Sequence, residues 1–101
     1  MSTQIIYGTV DAKGEKISGN SFSSTNEASG RYRVRFEPPF ASPPAVTTSQ
    51  VFAGVHNNGG DSRDNALVIT IEKDKVRIRT GNADGGTEDR SFSFIAVGPA
   101  G

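Results

Sequence analysis

Gly30 to Val46 reads GRYRVRFEPPFASPPAV, and its first half decides the fold. Arg31, Arg33 and Arg35 alternate with Tyr32, Val34 and Phe36. A period of two sends these sets to opposite faces of a strand, a separation that a helix does not give. Pro38-Pro39 and Pro43-Pro44 then bracket Phe40. Proline cannot donate to a ladder, so both pairs belong between strands or on an open edge. Val46 opens a second apolar run, so strands are expected at 30–37 and 45–53.

Outward from this stretch the same grammar continues. Gln4 to Val10 is a strand in which Gly8 marks a bulge or a close backbone approach. A short strand is expected around Ile17 and another at Phe22, whereas the Ser/Thr/Asn-rich segment Ser23 to Ser29 has the composition of a loop. Ala66 to Thr80 forms a hairpin, with Leu67, Ile69 and Ile71 inward, Lys73-Asp74 at the turn, and Val76 and Ile78 inward on the return. Phe92 and Phe94 share one face of a last strand at 90–97. Two long polar loops remain, at 54–65 and 81–89; loops near twelve residues are uncommon in compact domains unless functional or flexible.

Composition agrees. Leu67 is the one leucine, while isoleucine, valine and phenylalanine supply most of the apolar side chains, as a pleated, half-buried surface requires. With 101 residues, the expectation is one domain, residues 1–101, folded as an all-β, small antiparallel β-sandwich of about six strands. So short a chain buries roughly 60–70% of its unfolded surface, which makes self-association useful. Continuous runs such as Phe94 to Val97 can be buried on both faces where a sheet packs on a neighbouring subunit.

Several function classes lose support. Eleven basic and eleven acidic residues balance to zero net charge, so no nucleic acid and no membrane partner is expected. Cysteine is absent, which removes disulfides and thiolate metal sites. No apolar run approaches the ~20 residues of a membrane span. The first residues lack a basic stretch followed by an apolar core. Cytoplasmic synthesis without a signal peptide is expected, with release by lysis or in a particle.

Catalysis has little to build on. His56 is the one histidine, set in a glycine-rich loop that offers neither the fixed nor the desolvated place a general base needs. It reads as a solvated histidine able to touch a ligand. Asp61/Asp64 and Glu88/Asp89 read as solvated loop charges. The loops at 57–65 and 82–89 are oxygen-rich but match no EF-hand pattern. No enzyme, metal or cofactor is expected.

The basic residues are more specific. Arg31, Arg33 and Arg35 share a face, and Lys75, Arg77 and Arg79 alternate in the same way. Adjacent strands would make them one cationic sheet face. Three readings stay open: a site for anionic glycans, phosphate or an acidic partner; a solvent face paired with Glu72, Glu37 or Glu15; or a subunit interface. No aromatic residue interleaves on the arginine side, which weakens a nucleic-acid platform.

Val34-Arg35-Phe36-Glu37-Pro38-Pro39-Phe40-Ala41-Ser42-Pro43-Pro44-Ala45-Val46, together with the closing RSFSFIAVG, resembles the H-type lectin domain of snail agglutinins and discoidin C-termini. The same features occur in C-terminal domains of phage tail-fibre-like proteins. The resemblance covers roughly residues 30–98. It implies a six-stranded antiparallel sandwich assembled as a homotrimer, with glycan, typically N-acetylgalactosamine, bound at one end between protomers. By that resemblance the polar contact before the Phe-ending strand falls near Thr25, Asn26 or Glu27. The arginine after the long loop has no clean counterpart, since Ala66 and Leu67 stand there and Arg63 is shifted. The aromatic–histidine pair falls around Asn82 to Asp84, where neither type is present. Sugar C–H faces pack on aromatic rings, so this chain departs from the galactosamine pattern. Its Asn/Asp/Gly loops can hydrogen-bond another glycan, with His56 as the ring. The candidate ligand-binding set is Asn26, Glu27, His56, Arg63, Asn82 and Asp84. The alternative is a tail-fibre-like structural trimer whose interface is its working surface.

Overall fold

A computed structural model describes residues 2–51 and 62–101. It contains β1 (Thr3–Val10), β2 (Lys16–Gly19), β3 (Phe22–Ala28), β4 (Arg31–Phe36), β5 (Ala45–Gln50), β6 (Asn65–Ile71), β7 (Lys75–Gly81) and β8 (Phe92–Pro99). They form two four-stranded antiparallel sheets, ordered β2-β1-β8-β5 and β3-β4-β7-β6. The protein is all-β, and its described residues hold eight strands rather than about six.

The total of six leaves out the short polar strands expected around Ile17 and at Phe22, which are β2 and β3. Ser23 to Ala28, expected as a loop, lies in β3 and pairs with β4 in the register Ser23↔Arg35 and Thr25↔Arg33. An edge strand with one wet face needs few apolar residues, and here Phe22 alone enters the core. The zigzag of β4 is as expected, with Tyr32, Val34 and Phe36 buried and the arginines outward. Phe36 ends it. Phe40, between the proline pairs, folds back as a buried ring edge-on to Phe36, with centroids 5.0 Å apart.

Rings staple the two sheets together. Phe22 meets Phe94 edge-on at 5.0 Å, and Tyr32 meets Phe92 at 5.1 Å; such pairs add about 0.5–1.5 kcal/mol each beyond the area they bury. Val10, Val34, Val76, Ile78 and Ala96 fill the space between them. Gly8 is required by this packing, because a Cβ there would lie 2.4 Å from the Phe22 ring and 2.6 Å from the Ser18 carbonyl oxygen. The close approach expected at Gly8 is therefore present; the ladder irregularity falls beside it, between Thr9 and Val10.

The hairpin β6–β7 turns at Lys73-Asp74, but β6 is inverted relative to expectation. Leu67 and Ile69 are exposed, while Ala66, Val68 and Ile71 pack on the core. Both alternating sets are apolar, so period alone cannot choose between them. A bulge between Val68 and Thr70 then returns Ile71 inward. On the other sheet, Ile5 lies opposite Val97 and Tyr7 opposite Ile95, all four exposed. They form an apolar stripe on the outer face of β1 and β8.

Candidate functional site

Register gathers the loops at one end. Val10 pairs with Phe92, Arg31 with Arg79, and Asn65 with Gly81. The β1–β2 turn, the β3–β4 turn, the chain entering β6 and the β7–β8 loop therefore share that end. Tyr32 organises it from below: its buried hydroxyl donates to the Ala12 carbonyl (2.7 Å) and accepts the Arg90 N–H (3.2 Å). Burial, then the nearby Asp89 charge, pushes its pKa up to about 12, so it stays a neutral donor.

The predicted residues divide between different roles. Asn26 is used internally: its amide donates to the carbonyls of Ala28 and Arg31 and to the Asp89 carboxylate. That carboxylate also accepts the Gly30 N–H at 2.7 Å. Asn82 closes the β7–β8 loop, accepting the Asp84 and Gly86 N–H groups and donating to Glu88. Glu88 is held below the usual carboxylate range, first by this Asn82 bond and then by Arg90. Asp84 is exposed, with its N–H spent on Asn82. Arg63 is exposed beside the start of β6. His56 and Asp61 lie outside the described residues.

Glu27 leaves the loop end altogether. The bulge between Asn26 and Ala28 turns it to the outer face of its sheet. There its carboxylate sits 3.6 Å from Arg33 and 3.2 Å from Arg77. This is the cationic face expected from alternation, and the register makes it a ladder of facing pairs: Arg31↔Arg79, Arg33↔Arg77 and Arg35↔Lys75. Glu72 and Asp74 neutralise its lower part. Of the acidic partners expected from sequence, Glu72 takes part; Glu27 and Asp74 stand in place of Glu37 and Glu15.

Residues outside the predicted set line a concave feature of the described structure. An open cleft of roughly 500 Å³ runs between the edges of β5 and β6, lined by Ser49, Gln50, Ser62, Asp64 and Asn65 among others. Gln50 bridges the two sheets here, donating to the carbonyls of Asn65 (2.7 Å) and Gly81 (3.0 Å). Its other amide atom, Oε1, is buried and meets no donor among the described residues. The Asp64 side chain is only 4% exposed and lies 3.7 Å from Arg90, which also pairs with Glu88. Asp64 is thus nearly buried and not the solvated loop charge expected, whereas Glu88 pairs with Arg90 and Asn82 but keeps a solvent-exposed side chain. A polar residue at the inward position of β5 was the available signal for Gln50. The Asp64–Arg90 pair spans loops distant in sequence and left no spacing to read.

Hydrogen-bonding side chains thus line an open cleft. No helix of the described residues is long and apolar enough to cross a membrane. No family model and no curated protein matches the chain. Among solved structures, the chain is similar to the phiAB6 phage tailspike, solved in complex with three-repeated oligosaccharides of Acinetobacter baumannii surface polysaccharide. The TM-score is 0.57 at 13% identity, over 97% of this chain and 20% of the tailspike. The chain spans about a fifth of that protein's length, and the likeness is one of fold.

Proposed function

We propose that this chain is a carbohydrate-binding, lectin-like β-sandwich that works as a homotrimer associated with a phage-tail-like particle. The observation that carries the carbohydrate reading is the cleft between β5 and β6, lined by serine, threonine, glutamine, asparagine and aspartate side chains. Groups pinned in advance by Arg90 and by the two sheets lose little entropy when they bind a sugar. The likeness in fold to part of an oligosaccharide-bound tailspike supports the same reading, as does the H-type lectin resemblance at residues 30–98. The role is binding without catalysis.

Trimer formation is supported by the exposed stripe Ile5, Tyr7, Ile95 and Val97, since contiguous exposed apolar patches mark interaction surfaces. The same stripe favours the second reading, a structural trimer with no sugar affinity. Two measurements separate them. Sedimentation should give about three times the 10.7 kDa chain mass, falling to the monomer in Tyr7→Lys/Ile95→Lys. A glycan array should show binding that Ser62→Trp, at the exposed rim of the cleft, lowers at least ~10-fold, about 1.4 kcal/mol, with the melting temperature unchanged. A trimer with no glycan bound would leave the structural reading standing.

A further inference from the structure

The cationic ladder has three rungs, and they are not equivalent. On the middle rung Glu27 sits between Arg33 and Arg77. On the lowest, Asp74 reaches both Arg35 and Lys75, and Glu72 reaches Lys75 and Arg77. The fold therefore takes care to neutralise facing cations, as it should, because like charges directly opposite are destabilising. The top rung is the exception. Arg31 is exposed and has no carboxylate partner among the described residues, while Arg79 spends one nitrogen on the Gly85 carbonyl (3.1 Å). Asp89, the carboxylate that meets the β3–β4 turn, is committed to the Gly30 N–H and the Asn26 amide.

Arg31 and Arg79 stand at facing register positions, and guanidinium groups brought together in this way suit a carboxylate or sulfate. Leu67 lies opposite Arg79 on the neighbouring strand and is 54% exposed, so the rung has an apolar flank on which a sugar ring can rest. Asn65 and Ala66, two of the residues lining the cleft, precede Leu67 on that strand. From β6 to β7 and then β4 is roughly 5 Å per strand. A saccharide chain seated in the cleft can thus reach the rung over the edge of the sheet.

We propose that the Arg31–Arg79 rung is an anion subsite for the carboxylate or sulfate group of an acidic polysaccharide. It rests on the carbohydrate reading above and adds a substrate class to it. Nucleic acid fits less well. Six cations against three carboxylates on this face leave little excess charge for a phosphate backbone, and no ring on the arginine side offers a stacking platform.

The test is titration of the full chain with polygalacturonate fragments, dextran sulfate, neutral dextran fragments and duplex DNA, with thermal melts to confirm that each variant folds. Wild type should prefer an acidic polymer over the neutral one by about tenfold, the scale of one charge-assisted hydrogen bond. Arg31→Gln and Arg79→Gln should each erase most of that preference. Arg35→Gln, on a neutralised rung, should change it less than about threefold, and Glu27→Gln should raise acidic affinity several-fold by freeing Arg33 and leaving Arg77 with Glu72 alone. Equal affinity for acidic and neutral polymers, with Ser62→Trp still weakening both, would overturn the subsite and leave the carbohydrate reading intact. Binding of none of the polysaccharides would overturn both. Tighter binding of duplex DNA, or equal loss in Arg35→Gln and Arg31→Gln, would replace the subsite with a general cationic surface.

Discussion

Tyr32→Phe removes one oxygen from the centre of the loop end. In the native chain that hydroxyl donates to the Ala12 carbonyl at 2.7 Å and accepts the Arg90 N–H at 3.2 Å, and the residue is fully buried. The ring and its contact with Phe92 are retained, so no cavity larger than a hydroxyl forms. A buried polar group that loses its partner costs about 1–3 kcal/mol. Two groups lose one here, but Ala12 lies in a surface turn that water can reach, so we expect about 2 kcal/mol in total. Urea unfolding should show a lower midpoint with an unchanged slope, and the melting temperature should fall by roughly 10 °C. There is also an alkaline signature. Burial and Asp89 keep the native phenol protonated up to about pH 12, whereas the unfolded chain releases that proton near ~10. Above ~10 the unfolded state binds fewer protons, so native stability falls as pH rises through this window. Tyr32→Phe should lose that part of the alkaline decline. A stability loss under about 0.5 kcal/mol, the scale of an ordinary surface substitution, or an alkaline limb parallel to wild type would refute the central role given to this hydroxyl.

Gly8→Ala should cost about 1–3 kcal/mol by overpacking against the Phe22 ring and the Ser18 carbonyl, read as a lower denaturation midpoint. Asp64→Ala should be more severe, about 3 kcal/mol, because it strips a nearly buried carboxylate from beside Arg90; the same unfolding assay checks it. Glu88 titrates below its ordinary value, so its stabilisation is complete above the unfolded pKa of about 4.3 and lost as pH falls through the lower native value. Glu88→Gln should flatten that acid limb in a series of thermal melts.

What the sequence discloses follows from how each strand is partnered. Arg31 to Phe36 is legible because a strand in mid-sheet, buried on one face and wet on the other, writes its period into residue type. Ser23 to Ala28 is silent because an edge strand with Phe22 as its anchor carries no such contrast. Ala66 to Ile71 misleads because both of its faces are apolar, and the bulge after Val68 shifts the period midway. The candidate site shows the same division. Loop composition placed Asn26, Asn82 and Asp84 together, and the register brings their loops to one end of the sandwich. Asn26 and Asn82 nevertheless spend their amides holding turns, while Gln50, Asp64 and Arg90 shape the cleft. Their meeting depends on how β5, β6 and the last loop are brought together, which no local pattern encodes.

Amide hydrogen exchange of the full chain, with and without fragments of a bacterial surface polysaccharide, tests the binding assignment most directly. Added saccharide should slow exchange at Gln50 and along Ser62 to Leu67, and leave the outward stripe around Tyr7 and Ile95 as it was. Slowing confined to that stripe, or no change with any polysaccharide, would contradict it.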